Sequence, residues 1–108
     1  LTAIGGSGPA FLAEYIAAQL VYAKSKSLNE AMARDIVFKT ILGAVTYLDA
    51  TKVSPQEFVK LVSSPGGTTE AGIKLLKNKK FTNIIVQCLD SASKKSVKIS
   101  DKLVMKKN

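Results

Sequence analysis

The sequence predicts an all-α domain, a bundle of about five helices. Three observations point there. Apolar residues recur at helical spacing along most of the chain. Helix-start signals separate those stretches. No run alternates as a half-buried strand does: Ile84-Ile85-Val86 is too short and sits in helical spacing, and 102–105 is too short as well.

Gly5-Gly6-Ser7-Gly8 reads as a flexible opening. Pro9 suits the first turn of a helix, where its missing N–H is no loss. From Pro9 to about Ser25 the residues are good helix formers, with Phe11, Leu12, Tyr15, Ile16 and Leu20 at helical spacing. Lys24-Ser25-Lys26-Ser27 breaks the run. Asn29-Glu30 opens a second helix that continues to about Ala50. Its middle, Ile36 to Val45, is apolar almost all the way round, and such a helix must be covered on most sides. A small monomer has too few elements for that, so the sequence predicts a homodimer that wraps this helix. Gly43 costs about 1 kcal/mol against alanine in a helix, which a close helix–helix approach would justify.

Ser54-Pro55-Gln56-Glu57 is a capping box with proline at the first helical position. It starts a short helix through about Val62. A turn over Ser64 to Thr69 follows, then a helix from about Thr69 to Asn78. Thr82 can cap the last helix, in which Ile84, Ile85, Cys88, Leu89 and Ala92 form one stripe and which frays into Lys106-Lys107-Asn108.

Composition bounds the function classes. The 108 residues suit one domain, and 46% apolar residues argue against disorder. There is no histidine, which removes Ser-His-Asp triads, Cys-His pairs and most zinc sites, and no metal is expected. The single cysteine, Cys88, cannot form an internal disulfide, which favours a reducing compartment and hence the cytoplasm. No apolar run approaches the roughly 18 residues a membrane span needs. Residues 1–23 do not read as a signal peptide: glycines and Pro9 open them, Glu14 interrupts them, and no basic stretch precedes. The chain begins at Leu1, not Met, and reads as a fragment whose upstream domain is missing.

The net charge is +8. Charges balance up to residue 73; the excess lies in the lysines from Lys74 onward, opposed only by Asp90 and Asp101. A nucleic-acid partner is one reading of that asymmetry. A solvated lysine-rich helix face fits better, because no aromatic residue interleaves with those lysines after Phe81.

Ser64-Pro65-Gly66-Gly67-Thr68-Thr69 carries the chemistry. Pro65 fixes one φ angle. Gly66 and Gly67 permit positive φ and leave no Cβ where a ligand approaches the backbone. The residues that follow open a helix whose first N–H groups lack internal partners. Those donors and the helix dipole suit a carboxylate or phosphate, and the hydroxyls of Thr68 and Thr69 add donors or acceptors. An ordinary turn with a threonine as N-cap fits the same residues. The other glycine run, Gly5 to Pro9, lacks the preceding strand, the third glycine and the βαβ unit of a dinucleotide loop.

The string Val62-Ser63-Ser64-Pro65-Gly66-Gly67-Thr68-Thr69 resembles the signature of pyrroline-5-carboxylate reductases. Thr2-Ala3-Ile4 followed by Gly6-Ser7-Gly8-Pro9-Ala10 resembles that family's entry to its C-terminal domain. The spacing between the two, Ile41-Leu42-Gly43-Ala44, and Phe81 fit as well, and the likeness runs to about Ser100. The resemblance implies an interlocked homodimer of helical domains, similar to the C-terminal part of 6-phosphogluconate dehydrogenases. It implies a Rossmann domain upstream of this chain that binds NADP or NAD, with no cofactor residue here. It implies that Ser64, Gly66, Gly67, Thr68 and Thr69 bind the substrate, that backbone amides hold its carboxylate, and that Thr69 lies by the ring nitrogen as the catalytic residue. The product implied is proline, and an assembly above the dimer is open.

Some positions depart from the family pattern. Gly5 stands for a serine, Ala17 and Val21 for acidic residues, Lys39 for glutamine, Lys52 for a glutamate in some members, and Lys60 for an aspartate. They leave the turn intact and bear on its polar surroundings. Two other classes stay open at this point: a related reductase of another small imino or keto acid, and a non-catalytic helical dimerisation module.

Overall fold

The computed structural model describes the backbone of residues 2–107 and the side chains of residues 2–99. Among them are five helices and no strand: α1 (Thr2–Ser25), α2 (Glu30–Thr51), α3 (Pro55–Val62), α4 (Thr68–Asn78) and α5 (Phe81–Lys107). They form two compact units, Leu1–Leu12 with Leu75–Asn108, and Ala13–Lys74.

In the Ala13–Lys74 unit, the α1 residues Ile16, Gln19, Leu20 and Ala23 form one covered stripe, and Ala33, Val37, Ile41, Ala44 and Leu48 form another on α2. Ala23, Ala33 and Val37 are the buried apolar residues among those described. Small residues at these points suit close packing of α1 and α2. The connection is short because α1 ends tightly: Ser27 takes φ 61°, and the Ser27 and Leu28 amides donate back to Lys24 and Ala23 carbonyls at 3.0 and 3.1 Å. Asn29 then caps α2, its side chain accepting the Met32 amide at 3.1 Å.

α2 runs to Thr51, and Lys52 closes it in the left-handed conformation. Ser54 caps α3 by accepting the Glu57 amide at 3.1 Å, with Pro55 in the first turn, as the sequence predicts. The rings of Tyr47 and Phe58 lie 5.2 Å apart and tie the end of α2 to α3. This brings the α3–α4 connection, which holds the candidate site, onto a braced support.

Two elements differ from the sequence reading. Gly5 to Gly8 is not a flexible opening, and Pro9 is not at a helix start; both lie inside α1. Propensity disfavours this helix, since each glycine costs about 1 kcal/mol and Pro9 has no N–H for the rung to Gly5. Packing overrides it: residues up to Leu12 form a unit with α5, and Ala3, Ser7, Gly8 and Phe11 are the partly covered positions, on one helical face. In the same unit Thr82 is not the cap of α5. The Lys80 carbonyl accepts the Ile84 amide at 3.1 Å, so Phe81 and Thr82 are already helical. The α5 stripe is Ile85, Cys88, Leu89 and Ala92; Ile84 is exposed. Lys106 continues the helix, while its side chain and Asn108 lie outside the described residues.

The middle of α2 keeps apolar residues uncovered on more than one face. Ile36, Leu42 and Val45 are 52%, 65% and 58% exposed. Nothing within 4 Å meets a Cβ built on Gly43, so the close approach expected there is not made by this chain itself.

Candidate functional site: a glycine turn at the start of α4

Ser63 to Gly67 forms the connection between α3 and α4, and Thr68 and Thr69 open α4. The Gly67 amide donates to the Ser64 carbonyl at 2.9 Å, closing a four-residue turn with Pro65 and Gly66 at its centre. Gly66 has φ +73°, as a type II turn requires at that place. Gly67 does not take a positive φ; a Cβ there would lie 3.1 Å from the Ser64 carbonyl oxygen, a tight contact that a shift of a few tenths of an ångström would relieve. Of the two glycines, only Gly66 is required by its backbone conformation.

α4 starts at Thr68, and the Gly67 carbonyl accepts the Ala71 amide at 3.3 Å. Gly67 is thus the N-cap position, and neither threonine caps the helix. The amides of Gly66 and Gly67 are both engaged: Gly67 N–H with Ser64, and Gly66 N–H with Glu70 Oε1 at 3.3 Å. The amides of Thr68, Thr69 and Glu70 have no hydrogen-bond partner among the described residues. They are the donors left at the positive end of the α4 dipole. Thr68 and Thr69 are exposed, and their hydroxyls make no hydrogen bond among the described residues. Such a turn can hold a carboxylate or phosphate by two or three N–H bonds and offer a hydroxyl beside it.

Two neighbours escaped the sequence reading. Glu70 reaches back to the turn and also pairs with Lys74 at 3.4 Å. A glutamate at the third helical position can reach back before the helix; here it takes the Gly66 amide and not that of the N-cap Gly67, which goes to Ser64. Ser63 Oγ is buried without a hydrogen-bond partner, immediately before the turn; nothing in its spacing marks it out. Of the departing lysines, Lys39 pairs with Asp35 at 3.1 Å and Lys52 with Asp49 at 3.3 Å, each on its own helix surface.

The same unit holds an apolar cleft of about 370 Å³ between α1 and α2, lined by Tyr15, Ala18, Tyr22, Leu28, Ile36 and Val37 among others. No charged side chain lines it, so it has nothing to hold an anion.

A family model described as pyrroline-5-carboxylate reductase dimerisation matches residues 1–99. This chain belongs to that family. Pyrroline-5-carboxylate reductase 2 of Bacillus subtilis is 36% identical over 101 residues, 94% of this chain and 36% of that protein. The pyrroline-5-carboxylate reductase of Aquifex aeolicus is 36% identical over 98 residues, 91% of this chain and 37% of that protein. A crystal structure of Plasmodium falciparum pyrroline carboxylate reductase with NADP bound matches with a TM-score of 0.84 at 27% identity, over 88% of this chain and 38% of that one. The chain therefore spans a little over a third of the length of these reductases. Its five helices are the family's dimerisation fold, in agreement with the all-α expectation.

The turn geometry sets a stability test. Gly66→Ala places a Cβ on a left-handed residue and should cost about 1–2 kcal/mol. Thermal denaturation measures it; a Gly66→Ala variant that melts with the wild type contradicts the constraint assigned to that glycine.

Proposed function

We propose that this chain is the dimerisation and substrate-binding part of an enzyme that reduces 1-pyrroline-5-carboxylate to L-proline with NADPH or NADH, the last step of proline biosynthesis. The observation that carries the reading is the set of unpaired amides of Thr68, Thr69 and Glu70 behind a turn fixed by Gly66 and Gly67, in a chain of this family. The substrate carboxylate accepts hydrogen bonds from those amides. Ser64 and the backbone of Gly66 and Gly67 shape the floor of the site, and Thr68 flanks it. Thr69 turns its hydroxyl to the ring nitrogen and serves as the catalytic residue. A protonated imine is already an electrophile, so the work of these residues is to hold and orient it and to keep water away.

The nucleotide supplies the hydride. The described residues do not fit a cradle for it, because Gly5 to Gly8 lies inside α1 and not at a strand–helix junction. Its binding is assigned to a Rossmann domain outside these residues. Among the described residues no helix is long and apolar enough to cross a membrane, which accords with a cytoplasmic enzyme.

The partner is a second copy of this chain. The exposed faces of Ile36, Leu42 and Val45 on α2, with open space over Gly43, support a homodimer that covers them. Sedimentation should show at least a dimer; a stable folded monomer contradicts this.

The full-length protein should oxidise NADPH only when pyrroline-5-carboxylate is supplied. A folded preparation that binds NADPH without such turnover contradicts the reading. Thr69→Ala should lower kcat/KM about tenfold or more while leaving nucleotide affinity unchanged. An unchanged kcat/KM removes Thr69 from the site.

A further inference from the structure

The turn at the start of α4 already has a carboxylate on it. Glu70 Oε1 accepts the Gly66 N–H at 3.3 Å and stands 3.4 Å from Lys74 Nζ. The Glu70 side chain is 35% exposed, whereas Lys74 is 73% exposed. The acid is thus better shielded from solvent than the base that balances it. Its own backbone amide is one of the unpaired donors, together with those of Thr68 and Thr69. A ligand carboxylate on these amides shares a single helical turn with the Glu70 carboxylate.

We propose that the Glu70 carboxylate weakens the binding of a ligand carboxylate at this turn. Held at the Gly66 amide, it shares a helical turn with the donors of Thr68, Thr69 and Glu70 and repels, by like charge, a carboxylate bound on them. The inference rests on the proposed carboxylate reading of the turn and goes beyond it, since it assigns a role to a residue outside the signature string. Its physical basis is the repulsion of like charges on one helical turn, screened less where one of them is partly shielded from solvent. Lys74 moderates the repulsion without removing it, because an exposed pair on a helix surface is weak. The consequence is weaker binding of every carboxylate ligand, product included, and faster release.

Calorimetric titration of the full-length protein with L-proline, and with pyrrolidine as the analogue lacking a carboxylate, tests this. Three variants are compared with the wild type. Glu70→Gln keeps the size of the side chain and an oxygen for Gly66, and removes the charge. Glu70→Ala removes both. Gly66→Ala strains the turn itself, because that residue is left-handed. Both Glu70 variants should bind L-proline about three- to tenfold more tightly, with no gain for pyrrolidine. Gly66→Ala should bind L-proline more weakly. If Gly66→Ala weakens binding but both Glu70 variants match or fall below the wild type, the repulsive role of Glu70 is overturned and the carboxylate reading stands. If Gly66→Ala leaves L-proline binding unchanged, the turn is not the carboxylate site, and both readings fall.

Discussion

The hydrogen bond from the Gly67 amide to the Ser64 carbonyl is the constraint on which the candidate site depends. It folds the chain back at Pro65 and Gly66 and delivers Gly67 to the N-cap position of α4. With that bond made, Thr68, Thr69 and Glu70 fall in the first helical turn, where no internal carbonyl can reach their amides. Gly66 is its local precondition, since it adopts a backbone conformation that a side chain resists, while a Cβ on Gly67 would meet the Ser64 carbonyl oxygen at 3.1 Å.

The turn does not stand alone. α3 leads into it, and α3 is capped by Ser54 and tied to α2 through the Tyr47 and Phe58 rings. α2 in turn packs on α1 through small buried residues, Ala23 and Ala33, with Val37 beside them. That packing leaves other faces of α2 bare. An apolar helix face of this kind is unfavourable in water, and covering it from a second copy would stabilise both the helix and the support of the turn. The elements that would meet a second copy are then the ones that support the candidate turn.

Much of the fold was legible because it is written in local chemistry. Asn29 and Ser54 cap the helices they were expected to cap, since a side-chain oxygen before an apolar run has few other uses. Of the α5 stripe read from spacing, Ile85, Cys88, Leu89 and Ala92 are the covered positions, while Ile84 is exposed. The start of α1 was not legible. Three glycines and a proline argue against a helix, and only packing within the unit it shares with α5 overrides them. The α5 start was misread because Lys80, in the left-handed conformation, both leaves α4 and accepts the first bond of α5, a role lysine does not advertise. For the site, the turn itself was legible from Pro65, Gly66 and Gly67. Which amides remain free was not legible, because that depends on where the Gly67 and Gly66 protons go.

The central claim is that the turn holds a carboxylate on the amides at the start of α4. A crystal structure of the full-length protein with L-proline and the oxidised nucleotide tests it most directly. The account predicts carboxylate oxygens within about 3.2 Å of at least two of the amides of Thr68, Thr69 and Glu70. L-proline bound with its carboxylate on a lysine or arginine side chain, away from this turn, would contradict it.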